Sequence, residues 1–147
     1  MNLAQLLLPA DPVPAGLGWG CPIKLEPGME AERVDLTGLG CEHEELAALW
    51  CLLSGRPYQP AMLDDIFPLV SENTEWGPWL YLLPDGLVAA LAELPADRVR
   101  PVAEGWARSG EPPAAGPAEL EPVLAAMSRL AAAARERNAV LLLWTCP

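Results

Sequence analysis

The residue types able to hold a metal or attack a substrate are few, and all but one lie early in this 147-residue chain: Cys21, Cys41, His43 and Cys51, with Cys146 far away near the end. Thiolates and an imidazole could hold zinc tetrahedrally, and four such ligands would complete a structural site. The spacing argues otherwise, because no C-x2-C pair exists. Cys51 also lies one residue from an apolar helical stripe, where a free cysteine behaves as a small hydrophobe. The expectation is therefore thiols without a metal. His43 is the sole histidine, so any imidazole base must be this residue. A Cys–His nucleophile pair needs Cys41 or Cys51 within hydrogen-bond reach of it. Cys41 and His43, two apart near a helix start, point in different directions. His43 is expected to face solvent.

Carboxylates cluster at Glu42/Glu44/Glu45, Asp64/Asp65 and Glu72/Glu75. Such pairs can serve as general acid and base or bind a divalent cation through oxygen. No calcium-loop pattern accompanies them, and acidic residues at a helix start are already explained by the macrodipole. Trp76-Gly77-Pro78-Trp79 sets two indoles around a turn, and tryptophan is enriched at binding hot spots. The competing use of these indoles, and of Trp19, is core packing, since the chain has only six Trp, two Tyr and one Phe. The candidate partner-contact set is Trp76, Trp79, Glu42, Glu45, Asp64, Asp65, Glu72 and Glu75. Gly16-Leu17-Gly18-Trp19-Gly20 lacks the lysine of a phosphate loop, and neither G-x-S-x-G nor H-E-x-x-H occurs. No catalytic residue and no cofactor is expected.

Composition narrows the partners. Twenty Asp+Glu against nine Lys+Arg give a net charge of −11, which repels phosphate backbones and anionic lipid. Nucleic acid and membranes are thereby disfavoured. A hydrophobic content of 52% exceeds what a disordered acidic tail would carry. The length fits one domain over 1–147. Leu3 to Leu8 is apolar, but no basic residue precedes Lys24 and the run stops at Pro9, unlike a secretory leader. Sparse cysteines then suit thiols in a reducing cytoplasm.

Seventeen prolines imply short helices and many loops. An α+β fold, predominantly helical, is predicted, with about five helices. Residues 9–30 read as an irregular Pro/Gly-rich segment. Thr37-Gly38-Leu39-Gly40 should turn the chain into a helix carrying Leu46, Leu49, Trp50 and Leu53, stopped by Gly55 in the left-handed position. A second helix is placed at about 60–67, and Pro68 to Pro78 is read as loop. Further helices follow from Pro84 and Asp85 through Leu94, from an N-cap at Asp97 through Trp106, and over 118–137. Short strands are expected at about 79–83 and 139–144, and 31–36 could add a third. A continued helix competes for 139–144.

LTGLGCEHEELAALWCLLSG, GPWLYLLPDGLVAALAELPADRVRPVAEGWARSGE and the terminal LLLWTCP together resemble a family of small uncharacterised bacterial proteins with no assigned activity. The match covers residues 37–111 and the apolar ending, and rests on hydrophobic pattern, a GPW turn and an LP helix start. It implies a bacterial, helix-rich domain and supplies no catalytic residue.

Two functions then compete. One is a small acidic protein-protein interaction module neutralising a basic partner, in the manner of an immunity protein or antitoxin. The alternative is a small-ligand binder or hydrolase with a carboxylate/Trp pocket. The single His, the single Lys and the lack of a recognisable nucleophile favour interaction without enzymatic activity. Oligomeric state is not readable from the chain.

Overall fold

The computed structural model describes residues 3–9, 31–63, 69–72, 79–110 and 112–146. Its frame is a five-stranded, wholly antiparallel sheet. In chain order the strands are β1 (Leu3–Pro9), β2 (Ala31–Asp35), β3 (Leu69–Glu72), β4 (Trp79–Leu82) and β5 (Leu142–Cys146). Across the sheet they run β2-β1-β5-β4-β3.

Two strands differ from expectation. Leu3 to Leu8, read as an apolar run without assigned structure, is β1, paired on both sides. A strand flanked by strands and buried on both faces needs no polar alternation. Ala4, Leu6 and Leu8 fill one face and Leu7 the other. Leu69–Glu72, expected as loop, is the edge strand β3, with a register shift between Leu69 and Ser71. The terminal strand forms, displaced to Leu142–Cys146, and all five of its residues are buried. The competing helix is excluded by a left-handed Asn138 (φ 50°). There the Ala139 N–H donates to the Ala134 carbonyl at 2.8 Å and the Asn138 N–H to Arg135 at 3.1 Å, the double bond of a Schellman stop.

Four α-helices, rather than five, occur among the described residues: α1 (His43–Ser54), α2 (Asp85–Ala92), α3 (Val99–Ala107) and α4 (Pro117–Glu136). Of the helix expected at 60–67, the described part is a 3-10 turn, Pro60–Met62, followed by a helical Leu63; residues 64–67 lie outside the described residues. Gly55 ends α1 at φ 67° as expected. The N-cap of α3 is Arg98, preceded by a 3-10 turn at Ala96–Arg98, so Asp97 is not the cap. Pro101 still falls in the first turn, where its missing N–H would have found no intrahelical acceptor.

The helices lie on one face of the sheet. Leu46 and Leu49 of α1, Leu87 and Leu91 of α2, Val102 and Trp106 of α3, and Leu120, Leu124 and Met127 of α4 share one core with Leu6, Leu8, Val34 and Leu143. Burial of these aliphatic groups is the main source of stability in such a layer. The opposite face carries a second apolar cluster, Leu7, Leu80, Leu142, Trp144 and Cys146. No helix among the described residues is long and apolar enough to cross a membrane.

Candidate functional site

The chain reaches the start of α1 through the turn Thr37 to Gly40. Thr37 locks this turn to β1, its hydroxyl donating to the Ala4 carbonyl (3.3 Å) and accepting from the Ala4 N–H (3.2 Å). Gly40 has φ 62°, and a Cβ there would stand 2.7 Å from the Ala114 Cβ and 2.9 Å from its backbone nitrogen. Only glycine lets the loop before α4 lie this close, with the Ala115 N–H donating to the Leu39 carbonyl at 3.1 Å.

At the first turn of α1 the Glu45 carboxylate accepts from the Glu42 N–H at 2.8 Å, closing a capping box with the Glu42 side chain. Two of the predicted contact carboxylates thus hold the helix end. Burial pushes the Glu45 carboxyl up, the charges of Glu44 and Glu42 add to that, and two backbone N–H groups oppose it. The Trp106 indole N–H donates to the Glu45 carbonyl at 2.8 Å, pinning this turn to α3. Trp106 is fully buried.

His43, expected to face solvent, is half-buried instead. Its imidazole stacks on Tyr81 of β4, with centroids 4.8 Å apart and planes 14° from parallel. Tyr81 is two residues from Trp79 and so shares its side of β4. The acidic first turn of α1 is thereby set beside an aromatic strip of the sheet. Tyr81 was absent from the sequence-derived set, and no local pattern could have found it: the pairing spans 38 positions. Glu72 of β3 is the cross-strand partner of Trp79. Of the candidate contact residues, then, Glu42, Glu45, Trp79 and the backbone of Glu72 are placed. Trp76, Asp64, Asp65 and Glu75 lie outside the described residues.

Chemistry at this turn is limited by burial. Cys41 is only 1% exposed. Burial drives its thiol well above the usual value, with Glu45 and Glu42 adding to the effect. A thiol held protonated is a poor nucleophile and a poor metal ligand. Cys51 is also buried and free. Cys41, His43 and Cys51 do not gather with other residues into a metal-holding group among the described residues; Cys21, the fourth member of the zinc set, lies outside them. The expectation of four thiols fails at Cys146, which is disulfide-bonded. Cysteine usage therefore no longer argues for a reducing compartment.

The cleft beside Cys41 and Glu42, bounded by Ala4, Leu36 and Ala114, has a volume of about 240 Å³. That is below the roughly 300–1,000 Å³ of typical small-molecule sites. A wider groove of about 390 Å³ runs between the end of α1 and the α2–α3 connection, lined by Leu53, Leu94, Pro95 and Val102. Leu52, 40% exposed, stands at its rim. Comparison of the chain with family models, with curated proteins and with solved structures finds no match.

Proposed function

We propose that this protein is an acidic interaction module that docks a basic protein through the α1 start and the adjoining edge of the sheet, neutralising that partner in the manner of an immunity protein or antitoxin. The observation that carries the reading is the stacking of His43 on Tyr81, which brings the acidic first turn of α1 against β4, the strand that also carries Trp79. An aromatic strip rimmed by carboxylates suits a cationic surface, because indole and phenol faces attract guanidinium groups while the charges steer encounter. Charge balance supports it. Arg100, Arg135 and Arg137 are already paired with Glu104, Glu93 and Glu32, and the net charge of −11 leaves carboxylates in large excess.

The test is affinity capture from the source organism followed by titration of the identified partner. A single partner of high pI, bound less tightly as salt rises, is expected. Glu44→Gln and Trp79→Ala should each weaken it about tenfold, corresponding to roughly 1.4 kcal/mol. Glu44 is exposed and outside the capping bonds, so its neutralisation costs α1 no more than the roughly 0.3–1 kcal/mol of a first-turn charge. Binding indifferent to salt and to both substitutions would remove the proposal.

A further inference from the structure

The end of α1 and the connection between α2 and α3 bound a groove of about 390 Å³ that the proposed interaction surface does not use. Spacing explains how it is built. Pro95, Arg98 and Pro101 recur at intervals of three, so they share the side of the chain entering α3 that lines the groove. Val102 and Gly105 continue that side. A Cβ on Gly105 would stand 3.2 Å from Leu52 Cδ2, so the glycine gives the last turn of α1 room to lie against α3. Val102 is buried and Leu53 and Leu94 are half-buried, and together they supply apolar wall. Pro95 and Pro101 each fix their own φ, which keeps that wall preformed, as small-molecule sites usually are.

Charge is uneven along the groove. Glu93 is tied to Arg135 at 3.1 Å. Arg98 is exposed and makes no ion pair among the described residues. The positive end of the α3 macrodipole lies on the same side as Arg98. On the other side α1 presents its negative end, with no basic residue in its last turn. Arg56, just beyond that turn, sits over the Trp50 ring at 4.8 Å.

We propose that this groove binds a small apolar carboxylic acid, its carboxylate on Arg98 and its hydrocarbon running along Leu94, Val102 and Leu53 toward Leu52. The volume lies near the lower end of the roughly 300–1,000 Å³ of small-molecule sites, which suits one short chain. A guanidinium holds a carboxylate by two parallel hydrogen bonds, and burial of the hydrocarbon against leucine and valine supplies the rest. The dipoles at the two ends favour this polarity over the reverse. A net charge of −11 does not forbid an anion here, because exposed carboxylates more than about 8 Å away are largely screened at physiological salt.

Octanoate is the probe, titrated into the full chain and followed by methyl NMR. Saturable shifts at Leu53, Leu94 and Val102 are expected, with a Kd of about 1 mM or tighter. Octylammonium, which carries the opposite head, should bind at least about tenfold more weakly, and octanoate should bind Arg98→Gln more weakly by the same factor. Arg98 is exposed and unpaired among the described residues, so this variant should keep the melting temperature of the wild type. No saturable shift up to about 10 mM, shifts confined to methyls elsewhere, or undiminished binding of either control would overturn the proposal. Light scattering checks the competing occupant. Leu52→Glu should leave the particle mass unchanged, and a dimer that it dissociates would assign the groove to a second copy of the chain and overturn the proposal as well.

Discussion

Trp106→Phe asks how far the first turn of α1 depends on one buried indole. The substitution removes the N–H that reaches the Glu45 carbonyl at 2.8 Å, worth about 1 kcal/mol net. It also deletes about 40 Å³ of side chain from a site with no exposure. At about 24 cal/mol per Å³ the residual cavity costs about 1 kcal/mol, and the transfer term of the lost ring atoms adds a similar amount. The sum is about 3 kcal/mol, a large share of the 5–15 kcal/mol that typically holds a domain together. Urea unfolding followed by far-UV circular dichroism is the assay, because the helices report on the whole layer. With a slope of about 2 kcal/mol per molar, the midpoint should fall by about 1.5 M. Trp79→Phe, at a half-buried position on β4, serves as the control and should move it by less than about 0.3 M. A Trp106→Phe midpoint within that same margin would refute the reasoning that α1 is pinned through Trp106.

Three further outcomes follow from the same geometry. Gly40→Ala should destabilise by about 2–4 kcal/mol, combining a left-handed backbone with a clash against Ala114; thermal melting reads it, and a loss under 1 kcal/mol would contradict the close approach. Glu45, whose carboxyl burial raises above its ordinary range, binds its proton more tightly folded than unfolded. The stability this brings is full below about pH 4.5 and is lost as pH rises through the folded value. Glu45→Gln should therefore gain on the wild type as pH climbs from 4 to 7 in denaturant titrations, and a constant or shrinking difference would count against it. Cys41 and Cys51, both buried at 1% exposure, should react with iodoacetamide at least about 100-fold more slowly in the native protein than in urea; equal rates, read by mass spectrometry, would show that they are accessible.

The helices were legible because their signals are local. Leu46, Leu49 and Leu53 recur on one face of α1, Gly55 supplies its left-handed stop, and the stripe from Leu120 to Ala134 marks α4. Periodicity of 3.6 is written within one segment and needs no knowledge of the neighbours. The strands were harder to read where they matter most. β1 and β5 are buried on both faces, so Leu3 to Leu8 and Leu142 to Cys146 show no alternation to separate strand from other apolar structure. β3 is four residues long and marked by nothing but its pairing with β4.

The candidate site divides the same way. Glu42 and Glu45 at a helix start, and Cys41 as an inert thiol, follow from residue type and neighbours in sequence. The stacking of His43 on Tyr81, the indole of Trp106 on the Glu45 carbonyl 61 positions away, and the oxidised state of Cys146 do not. By itself the sequence settled the acidity, the helical periodicity and the turn glycines, all set by side-chain chemistry and short-range backbone sterics. Only the tertiary structure decided which strands are neighbours, placing the last strand in the middle of the sheet between β1 and β4. Strand pairing is a contest among many similar apolar segments, and it is won by packing across the whole layer.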